Sequence, residues 1–358
     1  MSQYLVLSHI EVQNSNSIAG LTWGFPAITG FLGFSHALNR KVSKKFGGDY
    51  ECELSGCAVI SHSYHQHIYS NDGGYTFRFS QRKSGYTFKP KKKDGKQVDP
   101  SIIEEGKMNL TISLVIELTD ALSLTTELIK QFENNVLDCC YKLRLAGGTI
   151  LNVKHVRLLS ANTQQQQLTM LRKIKRLLMP GFVLIDRSNY LQEHYQGLLA
   201  QHDSEKNEVP TQLDAWLDFC ALKSKAIPRL AQGQTEPDDN TPADWQFLPK
   251  PRLGYLVPLM AGYKAISDLY EAGKVANTRD EKTLTCFVEA IHSVGEWKGV
   301  HSLESIEKVI WRYQYDGQWY LCKQNQSKIN DENEPTELLN NNEELHQTLN
   351  FNDALKLF

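Results

Sequence analysis

The stretch MNLTISLVIEL, residues 108–118, alternates apolar and polar side chains and is the clearest strand in the chain. Alternation of this kind is typical of a strand that lays one face on a hydrophobic core. Residues 4–12 (YLVLSHIEV) predict a strand earlier in the chain, and the apolar run at 57–60 predicts a second one. The three segments together indicate a sheet as the centre of the fold.

Two helices, a hairpin and a fourth strand complete the pattern. Apolar residues recur at helical spacing from Ile28 to Val42 and from Thr125 to Leu143, and Thr149 to Val156 predicts a strand. Aromatic and polar residues alternate in Thr76–Phe79 and Tyr86–Phe88, which is a hairpin signal. The order strand, helix, strand, hairpin, strand, helix, strand predicts an α+β protein on a β-α-β-β-α-β plan with an enlarged middle hairpin.

Composition excludes several protein classes. The 358 residues are 41% hydrophobic and 22% charged, which is ordinary for a folded domain and untypical of a disordered chain or a coiled coil. There is no apolar run of about 18 residues and no basic segment before the first apolar stretch, so we expect a cytoplasmic protein. Seven cysteines without a C-x-x-C motif favour reduced thiols over disulfides or a zinc site.

Charge is distributed unevenly along the chain. Residues 1–200 carry 23 lysines and arginines against 16 acidic residues, whereas residues 201–358 carry 16 against 25. The excess in the first half is concentrated at 78–96, where a lysine run follows the aromatic hairpin, and at 172–176, on the polar side of a helix predicted for 164–179. Basic patches interleaved with aromatic residues favour nucleic acid as the partner.

Sequence motifs for catalysis are missing, and one histidine cluster leaves alternatives open. The chain has no P-loop, no G-x-G-x-x-G after a strand, no G-x-S-x-G and no H-E-x-x-H. His62, His65 and His67 are consistent with RNA-facing surface histidines, with a metal site, or with an endoribonuclease that uses His62, Tyr64 and Arg78. On a strand, His65 and His67 share a face that His62 does not, which weighs against a metal.

A series of short motifs resembles a known family. The motifs are Leu21-Thr-Trp-Gly-Phe-Pro26, Gly33-Phe34, His36-Ala-Leu38 with Arg40, Arg144-Leu-Ala-Gly-Gly148, Leu178-Met-Pro-Gly-Phe182, Leu256-Val-Pro258, Ala261-Gly-Tyr263, Arg279-Asp280 and Gly295-Glu-Trp297. In this order they are similar to the family of repeat-associated subunits that cap the 5′ end of crRNA in the CRISPR type I-F (Csy) surveillance complex. The series spans residues from about 4 to about 300 and is far more specific than any single motif.

The resemblance implies a fold and a role. It implies a ferredoxin-like, RRM-related core with a thumb hairpin and a helical insertion, in a non-catalytic scaffold without metal or cofactor. It also implies that the protein holds the 5′ handle of crRNA, joins the large subunit to the first backbone subunit and serves target DNA recognition indirectly. We therefore divide the chain into a core at 1–180 with its thumb around 64–100, an insertion at 181–250, a β-rich part at 251–323 and an acidic tail at 324–358.

Position and chemistry give the candidate RNA-binding residues. Phosphate contacts are predicted at Arg144, Gly147, Gly148, Arg172, Lys173 and Arg176. A base-facing loop after the first strand is predicted at Asn14, Asn16 and Trp23. Thumb contacts are predicted at Arg78, Lys91, Lys92 and Lys93, and the matching motifs add Arg40 and Arg279. The rival function is a metal-independent endoribonuclease that processes repeat RNA.

Overall fold

The alternating stretch at 108–118 lies inside a large antiparallel sheet in the computed structural model. The structure describes residues 2–45, 53–70, 78–83, 92–93, 96–97, 102–202, 208–229, 236–237, 241–278 and 280–325. Within these residues the helices are α1 (Ile28–Lys45), α2 (Thr126–Cys140), α3 (Gln164–Leu178), α4 (Ser188–Ala200) and α5 (Gln212–Cys220). The strands are β1 (Ser2–Asn16), β2 (Ile18–Ala19), β3 (Thr22–Trp23), β4 (Leu54–Gln66), β5 (Ile68–Tyr69), β6 (Arg78–Lys83), β7 (Lys92–Lys93), β8 (Lys96–Gln97), β9 (Ile102–Glu105), β10 (Lys107–Leu118), β11 (Arg144–Leu145), β12 (Gly148–Ala161), β13 (Phe182–Asp186), β14 (Ser224–Pro228), β15 (Ala243–Phe247), β16 (Leu256–Ala265), β17 (Val288–Gly299), β18 (Trp311–Asp316) and β19 (Trp319–Gln324).

The large sheet has ten strands in the order β11-β12-β1-β10-β4-β13-β17-β16-β19-β18, and all neighbours are antiparallel. Four adjacent strands of this sheet, β12, β1, β10 and β4, come from the part of the chain predicted as the core. In chain order, β1 is followed by α1, β4, β10, α2 and β12, and in space β1 and β10 lie between β12 and β4. The fold is therefore mixed α and β. The predicted strand at 108–118 lies in β10, which is one of the two inner strands of this group of four.

Alternation along the central strands serves two hydrophobic layers. In β1, Leu5 and Leu7 face the layer formed with α1 and α2. Tyr4 and Val6 point to the opposite face, where Ile174 of α3 packs. Because successive strand residues point to opposite faces, one strand contributes to both layers and is buried over most of its length.

Helix α3 begins and ends at positions that its sequence specifies. The Thr163 side chain accepts a hydrogen bond from the Gln166 backbone N–H and caps the helix. The helix ends beside the middle of β1, where the Ser8 hydroxyl donates to the Leu177 carbonyl oxygen at 3.0 Å. Beyond Ser8, α3 no longer covers this face of β1, and the side chain of Glu11 is exposed. This face of β1 is thus open at Glu11.

The chain after α3 extends the sheet. The predicted insertion at 181–250 contains α4 and α5, but it begins with β13, which pairs with β4 and β17. At the other end of the sheet, β18 pairs with β4 through Trp311 opposite Cys57. Trp311 is fully buried, and its indole N–H donates to the Leu184 carbonyl oxygen at 3.1 Å. Residues up to Gln324 form one compact unit, and the predicted acidic tail beyond Asn325 lies outside the described residues.

Helix α1 contains two glycines in its interior, Gly30 and Gly33. A Cβ on Gly30 would lie 3.4 Å from Ala146, so this glycine contacts the turn before β12, while a Cβ on Gly33 would meet no atom within 4 Å. No helix in the described part of the chain combines the length and apolar character that a membrane span requires.

Candidate nucleic-acid interface

A tight turn at residues 146–147 forms one wall of the candidate site. It joins β11 to β12, with Leu145 opposite Gly148, and both turn residues have left-handed backbones (φ +47° at Ala146, +81° at Gly147). A two-residue hairpin with two positive φ angles is a type I′ turn, which favours glycine. The turn is fixed to β1 because the Asn16 backbone N–H donates to the Ala146 carbonyl oxygen at 2.9 Å.

The end of β1 forms the facing wall, and here the sequence-based prediction was wrong in detail. Residues after Val12 were predicted as a polar loop, but β1 continues to Asn16 through an irregular register with β10. Asn14 has a φ of +56° and its backbone N–H donates to Asn109 Oδ1 at 3.0 Å. The strand continues because β10 and β12 flank it on both sides, which a local pattern does not reveal.

The two walls enclose a cleft of about 410 Å³. Its lining residues are Gln13, Asn14, His67, Glu105, Lys107, Arg144, Gly147 and Thr149. The predicted residues Asn14, Arg144 and Gly147 therefore lie together. The other five, Gln13, His67, Glu105, Lys107 and Thr149, were not among the candidate RNA-binding residues. Only the strand register places such residues here: Thr149, for example, lies opposite both Gln13 and Arg144.

The cleft combines charge with open backbone. Lys107 and Arg144 are its cations and Glu105 is its acidic side chain. The Arg144 guanidinium lies back over the turn, 3.5 Å from the Gly147 carbonyl oxygen. The nearest heavy atom to a Cβ built on Gly147 is Asn16 Cβ at 3.8 Å, so the turn backbone is accessible. Two cations beside an accessible glycine backbone are suited to a phosphate, and amide and carboxylate groups are suited to base edges.

Gly148 has a different function from its neighbour. It is buried, and a Cβ there would lie 2.5 Å from Val12 Cγ1 and 2.8 Å from the Gln13 carbonyl oxygen. Atoms do not approach this closely, so a side chain at 148 would force β1 and β12 apart. Its small size is required by strand packing, and the open backbone belongs to Gly147.

Asn16, Trp23 and Arg40 are not among the residues that line the cleft. The Asn16 side-chain amide donates to the Ile18 carbonyl oxygen at 2.8 Å and so stabilises its own turn. Trp23 is partly buried against Gly106. Arg40 is exposed on α1. Their roles in RNA binding stay predictions.

The cations of α3 form a separate surface. Arg172, Lys173 and Arg176 are exposed on the side of the helix that faces away from the sheet. The helix ends beside Ser8, whereas the cleft begins at Gln13, about five residues or roughly 17 Å further along β1. Phosphate contacts at these positions stay a prediction that the cleft geometry does not include.

The predicted thumb residues are described only in part. Arg78 is exposed in β6, opposite Tyr69. Lys92 and Lys93 form β7, opposite Lys96 and Gln97 in β8. Lys91 lies outside the described residues, as does Arg279.

His62 is engaged by hydrogen bonds at both of its ring nitrogens. His62 Nδ1 donates to the Pro180 carbonyl oxygen at 2.6 Å, so Nε2 accepts from the Ser113 hydroxyl at 2.6 Å. Its ring stacks on His9, with centroids 4.0 Å apart. Burial, the His62 ring, Lys154 and His155 lower the pKa of His9 to about 4, and burial also lowers the pKa of His62. Across the described residues, no group of three or more His, Cys, Asp or Glu side chains is arranged to hold a metal ion.

The sequence matches a known protein family over most of its length. Residues 5–322 match the family model described as CRISPR-associated protein (Cas_Csy2). The chain belongs to the Csy2 family of CRISPR-associated proteins. The resemblance based on its motifs is thereby confirmed.

A curated relative of the same family is similar over most of the chain. The CRISPR-associated protein Csy2 of Pseudomonas aeruginosa (strain UCBPP-PA14) is 33% identical over 318 residues, which are 86% of this chain and 90% of the relative. The family match includes every wall of the cleft and all ten strands of the large sheet up to Cys322. The cleft is therefore part of the region that defines the Csy2 family, whereas the acidic segment after 325 is not.

Proposed function

We propose that this Csy2-family protein is a non-catalytic RNA-binding subunit of a CRISPR type I-F complex that holds the 5′ handle of crRNA in the cleft. The observation that carries the proposal is the convergence of Lys107, Arg144 and the open Gly147 backbone in one cleft. Two cations and a turn without a Cβ suit a phosphodiester, and Asn14 and Glu105 supply acceptors for base amino groups. The cleft volume of about 410 Å³ lies in the range of ligand sites.

The same proposal includes the fold relationship and the partners. We interpret β1, β10, β4 and β12 with α1 and α2 as a ferredoxin-like, RRM-related core, because the chain order and the spatial order agree with that plan. The segment around 64–100 is the thumb in this interpretation. The large subunit and the first backbone subunit are the proposed protein partners, and target DNA is recognised indirectly through the guide.

The rival, an endoribonuclease centred on His62, is not supported by a specific observation. Both ring nitrogens of His62 are engaged, one with Pro180 and one with Ser113. A general base needs a free nitrogen within hydrogen-bond reach of the proton that it removes. In our proposal, His62 therefore has a structural role, because it connects β4 to Pro180 and to Ser113 of β10.

The proposed function is tested by measuring the retention and the cleavage of guide RNA. The complex purified with the full-length chain is incubated in EDTA with labelled guide RNA that carries or lacks its 5′ repeat-derived handle. We expect tighter retention of the RNA with the handle, and intact RNA after incubation. Equal retention of both RNAs contradicts handle binding. Discrete products that vanish in a His62→Asn variant establish the rival function instead.

A further inference from the structure

A second cleft lies on the side of the large sheet that α3 covers only in part. Its volume is about 300 Å³, and three neighbouring strands supply its polar lining residues: Glu11 and Gln13 of β1, Asn109 and Thr111 of β10, and Ser63 and His65 of β4. Gln13 also lines the cleft proposed for the handle, here called the handle cleft, so the two clefts adjoin. The proposed function does not use the second cleft.

Strand register decides which side chains of the central strands face this cleft. Leu110 and Ile112 of β10 pack in the layer that contains α1, so Asn109 and Thr111 point to the other face of the sheet. Tyr64 lies opposite Leu110, so the register places its ring on the α1 side as well. The second cleft is therefore lined by polar side chains from the face that α3 leaves open, which we call the open sheet face.

A row of polar residues crosses four strands on the open sheet face. Thr111 of β10 lies opposite Glu11 of β1 and opposite Ser63 of β4. Glu11 in turn lies opposite Asn152 of β12. Directly paired residues of antiparallel strands place their side chains on the same face, so these four side chains are neighbours.

The row keeps hydrogen-bonding groups available for a ligand. Asn152 Nδ2 donates to Glu11 Oε1 at 3.3 Å, which leaves the second carboxylate oxygen of Glu11 as an acceptor. Within the described part of the chain, the side-chain hydroxyls of Thr111 and Ser63 have no hydrogen-bond partner. A carboxylate accepts from base amino groups, and a hydroxyl both donates to and accepts from base edges and ribose 2′-OH groups.

Positive charge lies at the α3 end of the open sheet face. Lys154 of β12 is exposed and has no ion pair among the described residues. Burial lowers the pKa of both His9 and His62, and the charge of Lys154 lowers it further, so this lysine lies near the stacked pair. Arg176 is exposed on the last turn of α3, where Ser8 of β1 contacts the helix. Cations therefore lie at both ends of the polar row, in the handle cleft and here.

From this arrangement we infer that the open sheet face is a second RNA site, along which the strand that occupies the handle cleft continues towards α3. Glu11, Thr111 and Ser63 contact bases and riboses, and Lys154 binds an adjoining phosphate. The site extends over about five residues of β1, or about 17 Å, which is room for about five stacked nucleotides. A protein partner is disfavoured because the cores of protein interfaces are apolar and poor in lysine and glutamate. The inference rests on the proposed function, because the handle cleft supplies the strand.

The test removes hydroxyls from the polar row and keeps its strands. Thr111→Val with Ser63→Ala is expected to weaken binding of handle-bearing guide RNA about tenfold, as the loss of two hydrogen bonds predicts. Binding of RNA that lacks the handle is expected to stay unchanged, because that RNA does not enter through the handle cleft. Lys154→Gln is expected to lower the slope of log affinity against log salt by about 0.7. Filter binding with the complex that contains the full-length chain measures all three, and urea midpoints verify that the variants are folded.

Matched controls separate the open sheet face from the rest of the surface. Ser61→Ala removes a hydroxyl from the α1 side of β4, because Ser61 lies opposite Ile112, and Lys130→Gln removes an exposed cation from α2. Both should leave the affinity and the salt slope unchanged. If the wild type binds RNA with and without the handle equally, the proposed function is wrong and the inference falls with it. If the wild type prefers the handle and Thr111→Val with Ser63→Ala binds as tightly as the wild type, only the inference is overturned.

Discussion

The cleft at the end of β1 and the outer surface of α3 are both basic, but the sequence specifies them by different means. In the cleft, the cations Lys107 and Arg144 are held by paired strands and by a turn whose two residues require positive φ angles. On α3, the three cations extend from a helix whose other side is buried, and their positions follow from helical spacing alone. Under the proposed function, we expect the cleft to contribute geometry and specificity to RNA binding, and α3 to contribute charge.

The largest expected effect is a difference in the free energy of unfolding between variants of Gly147, in the cleft turn, and of Gly148, at the start of β12. Gly148→Val places a branched side chain into the backbone of β1 and is expected to cost roughly 3 kcal/mol of unfolding free energy. Gly147→Ala meets open space and pays only for its positive φ, about 1 kcal/mol. Urea denaturation of both variants measures the difference. Equal losses would remove the distinction between a packing glycine and a ligand-facing glycine.

The second prediction concerns a variant in which the positive charges of the cleft are removed and the fold is kept. Lys107→Gln combined with Arg144→Gln removes two phosphate partners and is expected to weaken binding of guide RNA about 100-fold. The slope of log affinity against log salt is expected to fall by about 1.4, at about 0.7 for each phosphate contact. Filter binding over a salt series provides both numbers. The matched control Lys130→Gln removes an exposed cation from α2 and should leave both numbers unchanged.

The third prediction concerns the α3 surface. Arg172→Gln, Lys173→Gln and Arg176→Gln together are expected to weaken RNA binding about tenfold, and equally for RNA with or without the handle, because a helix surface attracts phosphates without reading bases. The cleft variants should instead abolish the preference for the handle. A handle-specific loss in the α3 variant contradicts the division of roles, and an unchanged salt slope reduces α3 to a solvated surface.

The sequence predicted what depends on local pattern and missed what depends on register. The strand at 108–118, the helix that carries Arg172 and the glycine turn followed from spacing and turn chemistry. His67 and Lys107 could not be placed in the cleft, because their position depends on the pairing of β10 with β1 and β4. The continuation of β1 to Asn16 was missed for the same reason. Polar residues such as Ser15 and Asn16 resemble a loop locally, and only their pairing with β10 keeps them in the strand.

The smallest effect concerns His9, which lies on the open sheet between the cleft and α3. The folded protein keeps this ring neutral down to a pKa of about 4, whereas an unfolded chain takes up the proton near 6.5. Between these two values the unfolded state binds more protons, so the free energy of unfolding falls as the pH is lowered from 6.5 towards 4. Asn tolerates the φ of +50° at this position and does not titrate, so His9→Asn should lose less stability than the wild type between pH 7 and pH 5. Urea midpoints at the two pH values measure the difference. An equal loss in both proteins would mean that His9 does not remain neutral on folding.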